Sequence, residues 1–332
     1  MTATALTQTT ATTASDHRVV RADCVAELGQ FKDSVDLIFA DPPYNIGFSY
    51  ESYDDRRTYD DYVAWTTSWI KVAAAALNER GSLYVMIGDE YAAETRLAMS
   101  NAGLSVKSWI IWSYTFGQHR HEKWTRSHVH VFYAVKDARN YIFNDVAIRI
   151  PSSRGLVYGD KRTNPLGRVP PDTWTCYSRL CGNFKARQAW HGCQVPEELL
   201  ARVITASTNK GDLVVDPFAG SGATGAVAKR YDRKFIGFEI SDEYVKLANQ
   251  RLKSVEKWRF PASPIDWNEW TTWELARFYR ESGTPLSTFI ERDAQLKHFV
   301  GVFNGRLNTG YSPDSVRSKL KELQKSGSLA VV

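Results

Sequence analysis

Cysteine is scarce: Cys24, Cys176, Cys181 and Cys193 are the four thiols in 332 residues. So few over such a length exclude a disulfide scaffold and point to a reducing compartment, the cytoplasm. No apolar run approaches the ~20 residues of a membrane-crossing helix, although apolar residues make up 43% of the chain and suffice for a sizeable core. The first fifteen residues hold no basic residue ahead of an apolar stretch, so neither a secretory signal nor a transit peptide is expected. Their Thr- and Ala-rich composition predicts a disordered arm over residues 1–16. Metal-ligand spacing is lacking too. Cys176, Cys181, His191 and Cys193 contain no Cys-x-x-Cys pair, and His119, His121, His128 and His130 read as a loop and strand edge touching substrate or phosphate, so no metal is expected. The net charge of +5 is mild. Its distribution says more.

What is present centres on Leu37-Ile38-Phe39-Ala40-Asp41-Pro42-Pro43-Tyr44-Asn45. An apolar run of strand composition ends in a carboxylate, two prolines and an aromatic ring. The prolines fix φ and lack an N–H, so the chain must leave the sheet as a stiff, extended turn. Open α/β sheets put their ligands at such strand ends. The Asp41 carboxylate and Pro42 carbonyl offer two acceptors beside the flat face of Tyr44, which suits an exocyclic amino group on a planar heterocycle. Accepting both hydrogens draws the nitrogen lone pair out of conjugation and leaves a nucleophile. Taken alone, Asp-Pro-Pro after a strand is equally a plain turn.

Strands are expected around Val19, Leu37–Ala40, Leu83–Ile87, Val106–Trp112 and Val129–Val135. Residues 45–57 read as a candidate lid. Thr58 and Asp61 resemble a capping box opening a helix with Tyr62, Trp65, Trp69, Val72 and Ala76 on one stripe. Glu90–Asn101 reads as the next helix, and the alternation predicts a parallel sheet. Residues 138–190 then change character. Arg139, Arg149, Arg154, Lys161, Arg162, Arg168, Arg179, Lys185 and Arg187 outnumber three aspartates, and seven aromatic residues are interleaved. Such a mixture is either a solvated insertion or a surface for phosphates and bases. The sheet pattern resumes with a helix at Pro196–Ala206, strands at Leu213–Val215 and Phe235–Phe238, and a helix capped by Ser241. After Pro261 and Pro264, helices are expected at about 271–281, 285–303 and 313–325. Arg306, Arg317, Lys319, Lys321 and Lys325 there are a second basic face, equally readable as solvated.

Asp216-Pro217-Phe218-Ala219-Gly220-Ser221-Gly222-Ala223-Thr224-Gly225 follows the Leu213 strand, and Glu239 ends the next one. Gly220, Gly222 and Gly225 satisfy the dinucleotide-loop spacing, with the carboxylate placed for ribose hydroxyls. By spacing alone NAD fits. Asp216-Pro217-Phe218 would crowd a pyrophosphate, however, and suits a ribose carrying a cationic amino-acid tail. S-adenosylmethionine is such a cofactor, and its methyl group needs a neutral amine as acceptor.

The two motifs together, in this order and around a basic insertion, resemble the beta group of amino-methylating DNA methyltransferases, from about Arg18 to Leu252. Asp23-Cys24 matches the family's adenine-contacting turn. Of Trp190-His191-Gly192-Cys193-Gln194-Val195-Pro196, residues His191, Gln194 and Pro196 match the family's His-Pro-Thr-Gln-Lys-Pro, while Gly192, Cys193 and Val195 do not, which leaves the family's lysine contact to the cofactor without a counterpart. The resemblance implies a Rossmann-like, seven-stranded, mostly parallel α/β sheet with one antiparallel strand. Together with the linker at Pro261 and Pro264 and the helical periodicity after it, this divides the chain into a methyltransferase domain over 17–260, with a target-recognition insertion at 138–190, and a helical C-terminal domain over 261–332. The resemblance also implies site-specific methyl transfer to adenine N6 in double-stranded DNA, after flipping the base out. Cytosine N4 and a catalytically silent DNA-binding subunit are the alternatives, and a homodimer and a cognate restriction nuclease are partners it leaves open.

Carried over by position, Asp41, Pro42, Pro43 and Tyr44 form the catalytic segment. Asp23, Cys24, His191, Gln194, Pro196, Asp216, Phe218, Ala219, Gly220, Ser221, Gly222, Thr224 and Glu239 would bind S-adenosylmethionine. Arg149, Arg154, Lys161, Arg162, Arg168, Arg179, Lys185 and Arg187 would bind DNA.

Overall fold

The computed structural model describes residues 17–48, 53, 55–118, 121–122, 124–160, 162–180, 182 and 187–329. The expected arm at 1–16, together with His119, Lys161, Cys181 and Lys185, lies outside them. In chain order the elements are β1 (His17–Arg21), α1 (Cys24–Leu28), β2 (Val35–Ala40), α2 (Tyr59–Ala76), β3 (Leu77–Ile87), α3 (Ala92–Asn101), β4 (Ser105–Gln118) and β5 (Arg126–Val135). Then come α4 (Asp145–Ile148), α5 (Ser153–Tyr158), β6 (Thr173–Trp174), α6 (Glu197–Ser207), β7 (Leu213–Asp216), α7 (Ala223–Arg230), β8 (Lys234–Glu239) and α8 (Asp242–Ser254). The chain closes with α9 (Glu269–Ser282), α10 (Leu286–Glu291), α11 (Asp293–Leu307) and α12 (Pro313–Lys325).

One sheet runs β1-β8-β7-β2-β3-β5-β4-β6. Strand β5 is antiparallel to both neighbours, and the other pairings are parallel. The resemblance implies seven strands; the eighth is the two-residue β6, which joins the β4 edge through Ile111↔Thr173 and Trp112↔Trp174. Both faces of the sheet are covered. Leu37 and Phe39 of β2 pack toward α6, α7 and α8, with Leu199, Val203, Ala226 and Leu252. Ile38 and Ala40, one residue out of phase, pack toward α2 and α3 against Trp69, Ile70 and Met99. This period of two, apolar on both faces, is why the strand reads as an unbroken apolar run.

Thr58 caps α2 by accepting the Asp61 N–H at 3.2 Å, as its spacing predicts. Strand β3 begins at Leu77, six residues before the expected Leu83, because α2 passes straight into it. Gly81 lies inside that strand, where a Cβ would sit 2.8 Å from the Val35 carbonyl oxygen. The single helix expected over 285–303 is two, broken at Arg292 (φ −122°, ψ 98°).

A third apolar cluster joins Leu275, Phe278, Phe289, Phe299, Phe303 and Leu320 of the last helices to Leu156 of α5. Beside it Glu281 of α9 receives Arg277 (2.9 Å), Arg306 (2.6 Å), Arg202 of α6 (3.2 Å) and the Tyr177 hydroxyl (2.6 Å), all buried. These three guanidinium groups hold the Glu281 carboxyl well below the usual range against its burial. The residues just after β6 are thereby tied to the C-terminal helices.

Candidate active site

Because β1, β8, β7 and β2 are neighbours and parallel, their carboxyl ends share one rim. From β2 the chain crosses to β3 on one side, and from β7 to β8 on the other, so the crevice opens where strand order reverses. A cavity of about 1020 Å³ lies there, at the upper end of the ~300–1,000 Å³ typical of small-molecule sites. Asp41–Phe48 and Arg179 line it, as do Ala22–Cys24, His191, Gln194, Asp216–Ser221 and Glu239–Ser241.

On the β2 side, Asp41 accepts the Tyr44 hydroxyl at 2.7 Å. Burial against the apolar wall pushes the Asp41 carboxyl up to about 6, opposed by that hydrogen bond and by Arg179. The side chain is half-buried, open toward the cavity. Tyr62 of α2, fully buried, donates to the Pro43 carbonyl at 2.6 Å and pins the turn from below.

On the β7–β8 side, Gly220 and Gly222 take positive φ values of 44° and 70°, a region where a side chain is strained. A Cβ at Gly220 would also strike the His191 ring at 2.6 Å. The Glu239 carboxylate accepts the N–H groups of Gly220 (3.0 Å), Ile240 (2.9 Å) and Ser241 (2.9 Å). Burial raises its pKa, and the three backbone donors oppose the rise. Burial drops the pKa of His191 to about 4, helped by Arg251 and Arg187, so its ring is neutral at physiological pH. Asp23 caps α1, accepting the Val25 N–H at 2.9 Å, and reaches the same cavity. The Cys24 thiol is buried and pushed up to about 12, which makes it a wall and not a nucleophile. A backbone that approaches closely, a carboxylate at the β8 end and a neutral ring suit a ribose-bearing cofactor with a cationic tail, the chemistry of S-adenosylmethionine.

The other sequence-marked residues divide. Asp216 accepts the Phe218 N–H (2.9 Å) and the Thr224 hydroxyl (2.6 Å), an arrangement that shapes the glycine turn from beneath. Burial pushes the Asp216 carboxyl up to about 7. Phe218 stacks edge-on against Trp69 and Trp65 at 5.3 and 5.7 Å. Gly222 and Pro196 stand behind the lining, and Pro196 precedes α6 as its cap residue. Of the basic residues, Arg179 is the one from residues 138–190 on the cavity wall among those described, 5.8 Å above the Tyr114 ring. Arg154 and Arg162 both pair with Asp160, Arg149 pairs with Asp145, and Arg187 donates to the Gly182 carbonyl. Arg168 is exposed, its backbone bridged to Ile150. Among the described residues no three His, Cys, Asp or Glu side chains are grouped as metal ligands.

Sequence reasoning missed three supports of the site: Tyr62, Asp55, and Arg251, which donates to the Ser221 carbonyl at 2.9 Å while pairing with Glu197. Only the place of Tyr62 on the apolar stripe of α2 hinted at one of them.

The sequence matches a family described as DNA methylase, of the N6/N4 class, over residues 35–250. It is 38% identical over 245 residues to the DNA adenine methyltransferase YhdJ of Escherichia coli K12, spanning 70% of this chain and 82% of that one. To the type II methyltransferase M.HpaI of Haemophilus parainfluenzae it is 32% identical over 241 residues, 72% and 75% of the two chains. Among solved structures, its fold is similar to that of the PvuII DNA methyltransferase, described as cytosine-N4-specific (TM-score 0.56, 20% identity, 88% of this chain and 93% of that one). It is also similar to TTHA0409 of Thermus thermophilus, solved in complex with S-adenosylmethionine (TM-score 0.51, 21% identity, 72% and 94%). With two-thirds of its length matched and its strand-end motifs facing one cavity, the chain belongs to the N6/N4 family of DNA methylases, S-adenosylmethionine-dependent enzymes.

Proposed function

We propose that the protein methylates the N6 amino group of adenine in duplex DNA at a defined sequence. The observation that carries this reading is the half-buried Asp41 carboxylate, on the cavity wall that the glycine loop and Glu239 share. When bound, S-adenosylmethionine supplies an electrophilic methyl group on a sulfonium. Glu239 would hold the ribose hydroxyls, Asp23 the adenine amino group, and the Phe218–Gly222 turn with His191 and Gln194 the methionine portion. Asp41 and the Pro42 carbonyl would each accept one hydrogen of the target amino group, turning its lone pair toward the methyl. Tyr44 would stack on the target ring while its hydroxyl steadies Asp41. Transfer leaves the nitrogen with a surplus proton, and the Asp41 carboxylate beside it is a ready acceptor. The rest is positioning in a water-poor cavity.

A base inside a duplex cannot reach Asp41, so the target nucleotide would be flipped out. Arg179 at the cavity wall is the first candidate for its phosphate, and the exposed Arg154, Arg162 and Arg168 for flanking DNA. Adenine is favoured over cytosine by the acidic residue at position 41 and by the likeness to the E. coli adenine enzyme. An enzyme that works on DNA is expected in the cytoplasm. The likeness to M.HpaI raises the expectation of a companion restriction nuclease. Expression in a methylation-deficient host, followed by sequencing that distinguishes modified bases, tests the reading. N6-methyladenine in one sequence context is the expected result; N4-methylcytosine, or no modified base, overturns it.

A further inference from the structure

The segment after the catalytic turn is held by one buried carboxylate. Asp55, 2% exposed, accepts the Asn45 N–H at 2.7 Å through Oδ1, and the Ile46 and Phe48 N–H groups at 3.0 Å each through Oδ2. Its carbonyl accepts the Gly47 N–H at 2.9 Å. Four consecutive amides thus close on one residue. Asn45 adds a second clamp: its side chain donates to the Arg57 carbonyl (3.0 Å) and the Tyr91 hydroxyl (2.8 Å) and accepts the Arg57 N–H (2.7 Å). Asn45 itself stands at φ 57°, a strained conformation that such a network can hold.

So many bonds do not serve burial of the segment. Ile46 and Phe48 are 51% and 41% exposed, and both line the cavity. Phe48 reaches across to Gly192, where a Cβ would stand 3.3 Å from its Cζ. Gly192 lies between His191 and Cys193, both on the cavity wall. A rigid backbone therefore presents two apolar side chains at a cavity mouth, where exposed apolar surface marks a binding site. Residues 49–52 and 54, part of the expected lid, lie outside the described residues.

We propose that Ile46 and Phe48 form a preformed apolar wall that seats the entering DNA base against the catalytic turn, and that Asp55 is the positioning residue that holds this wall. The proposal rests on the reading that a flipped base enters beside Asp41. Its ligand is a planar heterocycle, which an apolar wall contacts without regard to hydrogen-bond pattern.

Asp55→Asn is the direct test. Both carboxylate oxygens accept backbone N–H groups, so either orientation of the amide turns an NH₂ toward a donor. Methyl transfer kcat on the cognate duplex should fall about tenfold to a hundredfold, with S-adenosylmethionine affinity by calorimetry within about twofold of wild type. Phe48→Ala and Ile46→Ala, at exposed positions that cannot unfold the core, should raise the KM for DNA. They should also reduce the fluorescence rise of a duplex carrying 2-aminopurine at the target position, and Phe48→Leu should restore part of both. Unchanged kcat in Asp55→Asn overturns the positioning role. If that variant loses cofactor and DNA binding in parallel with its thermal midpoint, Asp55 is merely structural, and the role is again overturned. Unchanged KM and fluorescence in both wall variants overturn the wall. Wild-type enzyme that modifies a base other than adenine corrects the target and leaves the wall standing.

Discussion

On the rim made by the ends of β1, β8, β7 and β2, backbone N–H groups hold the Glu239 and Asp216 carboxylates, whereas in residues 138–190 the guanidinium groups of Arg149, Arg154 and Arg162 are held by side-chain carboxylates. Glu239 is gripped by three amides and Asp216 by an amide and a hydroxyl. Arg154 and Arg162, in contrast, lean on one shared side-chain partner, Asp160. Backbone-held groups have a fixed geometry, which chemistry on a single atom requires. Side-chain pairs at a surface contribute little and exchange readily, which suits a long polyanion met in many registers.

The sharpest break of this contrast removes the carboxylate proposed to be catalytic. Asp41→Ala is expected to cut methyl transfer by about a thousandfold with S-adenosylmethionine affinity nearly intact, because the Asp41 carboxylate bonds to Tyr44 and not to the glycine loop. Tritium-methyl transfer and calorimetry separate the two. Asp41 must also be ionised to accept its amino hydrogen strongly and to take the surplus proton after transfer. With its carboxyl raised to about 6, kcat/KM should rise with pH through a midpoint near that value and level off above it. A flat profile from pH 5 to 8 would remove Asp41 from the role.

On the backbone-held side, Glu239→Ala should weaken S-adenosylmethionine by roughly 3 kcal/mol, about a hundredfold, since the side chain is proposed to hold the ribose and also anchors Gly220. Glu239→Gln should fare little better. Both oxygens face N–H donors, so the new amide must point at one of them. An unchanged dissociation constant in both variants would put the ribose elsewhere.

Asp216 carries a pH-dependent effect, on folding stability and not on affinity. Its folded pKa, about 7, lies above the ordinary 3.8, so the native state binds more protons than the unfolded one between these values. Stability from this group is therefore full below about pH 4 and lost as pH rises through 7. Asp216→Asn abolishes that slope. Relative to wild type it should gain on the order of 4 kcal/mol between pH 4 and pH 8, read from denaturant midpoints at both.

The rim was legible in the sequence because each of its motifs is local: Asp41-Pro42-Pro43-Tyr44 and the 216–225 glycine turn carry their strand, their turn and their chemistry within ten residues. Parallel pairing then places local motifs side by side with few topological choices. What was not legible is what depends on distant contacts. Nothing near Asp55 announces that its carboxylate will close on Asn45, Ile46 and Phe48. Arg251 reaches Ser221 from another helix. Leu156, inside the basic segment, belongs to the apolar cluster of the last helices, which no periodicity in a six-residue helix reveals. Composition marked Arg154 and Arg162 as free charge, while Asp160 sits too close in sequence to be discounted.

That last pairing allows the contrast to be sharpened at its weak end. The guanidinium of Arg162, with help from Arg154, holds the Asp160 carboxyl down at about 2, so the acid is ionised at any working pH. If the two arginines meet phosphates, Asp160 competes with DNA for them, and Asp160→Asn should tighten DNA binding several-fold at low salt. Arg154→Ala with Arg162→Ala should weaken it, lowering the slope of log K against log salt by about 0.9 for each phosphate no longer neutralised. Arg179→Ala offers the control from the cavity wall. It should lower kcat for methyl transfer in addition to lowering the salt slope by about 0.9 for the one phosphate it is proposed to hold, whereas the surface pair should change the slope with kcat nearly intact. DNA affinity at several salt concentrations, for cognate and single-mismatch duplexes, separates these outcomes. A relaxation of discrimination by ~1–3 kcal/mol at one base pair would mean that one arginine reads a base edge. Unchanged affinity in both Asp160→Asn and the double alanine variant would remove this surface from the DNA interface, and the basic face of α12 would be the next to test.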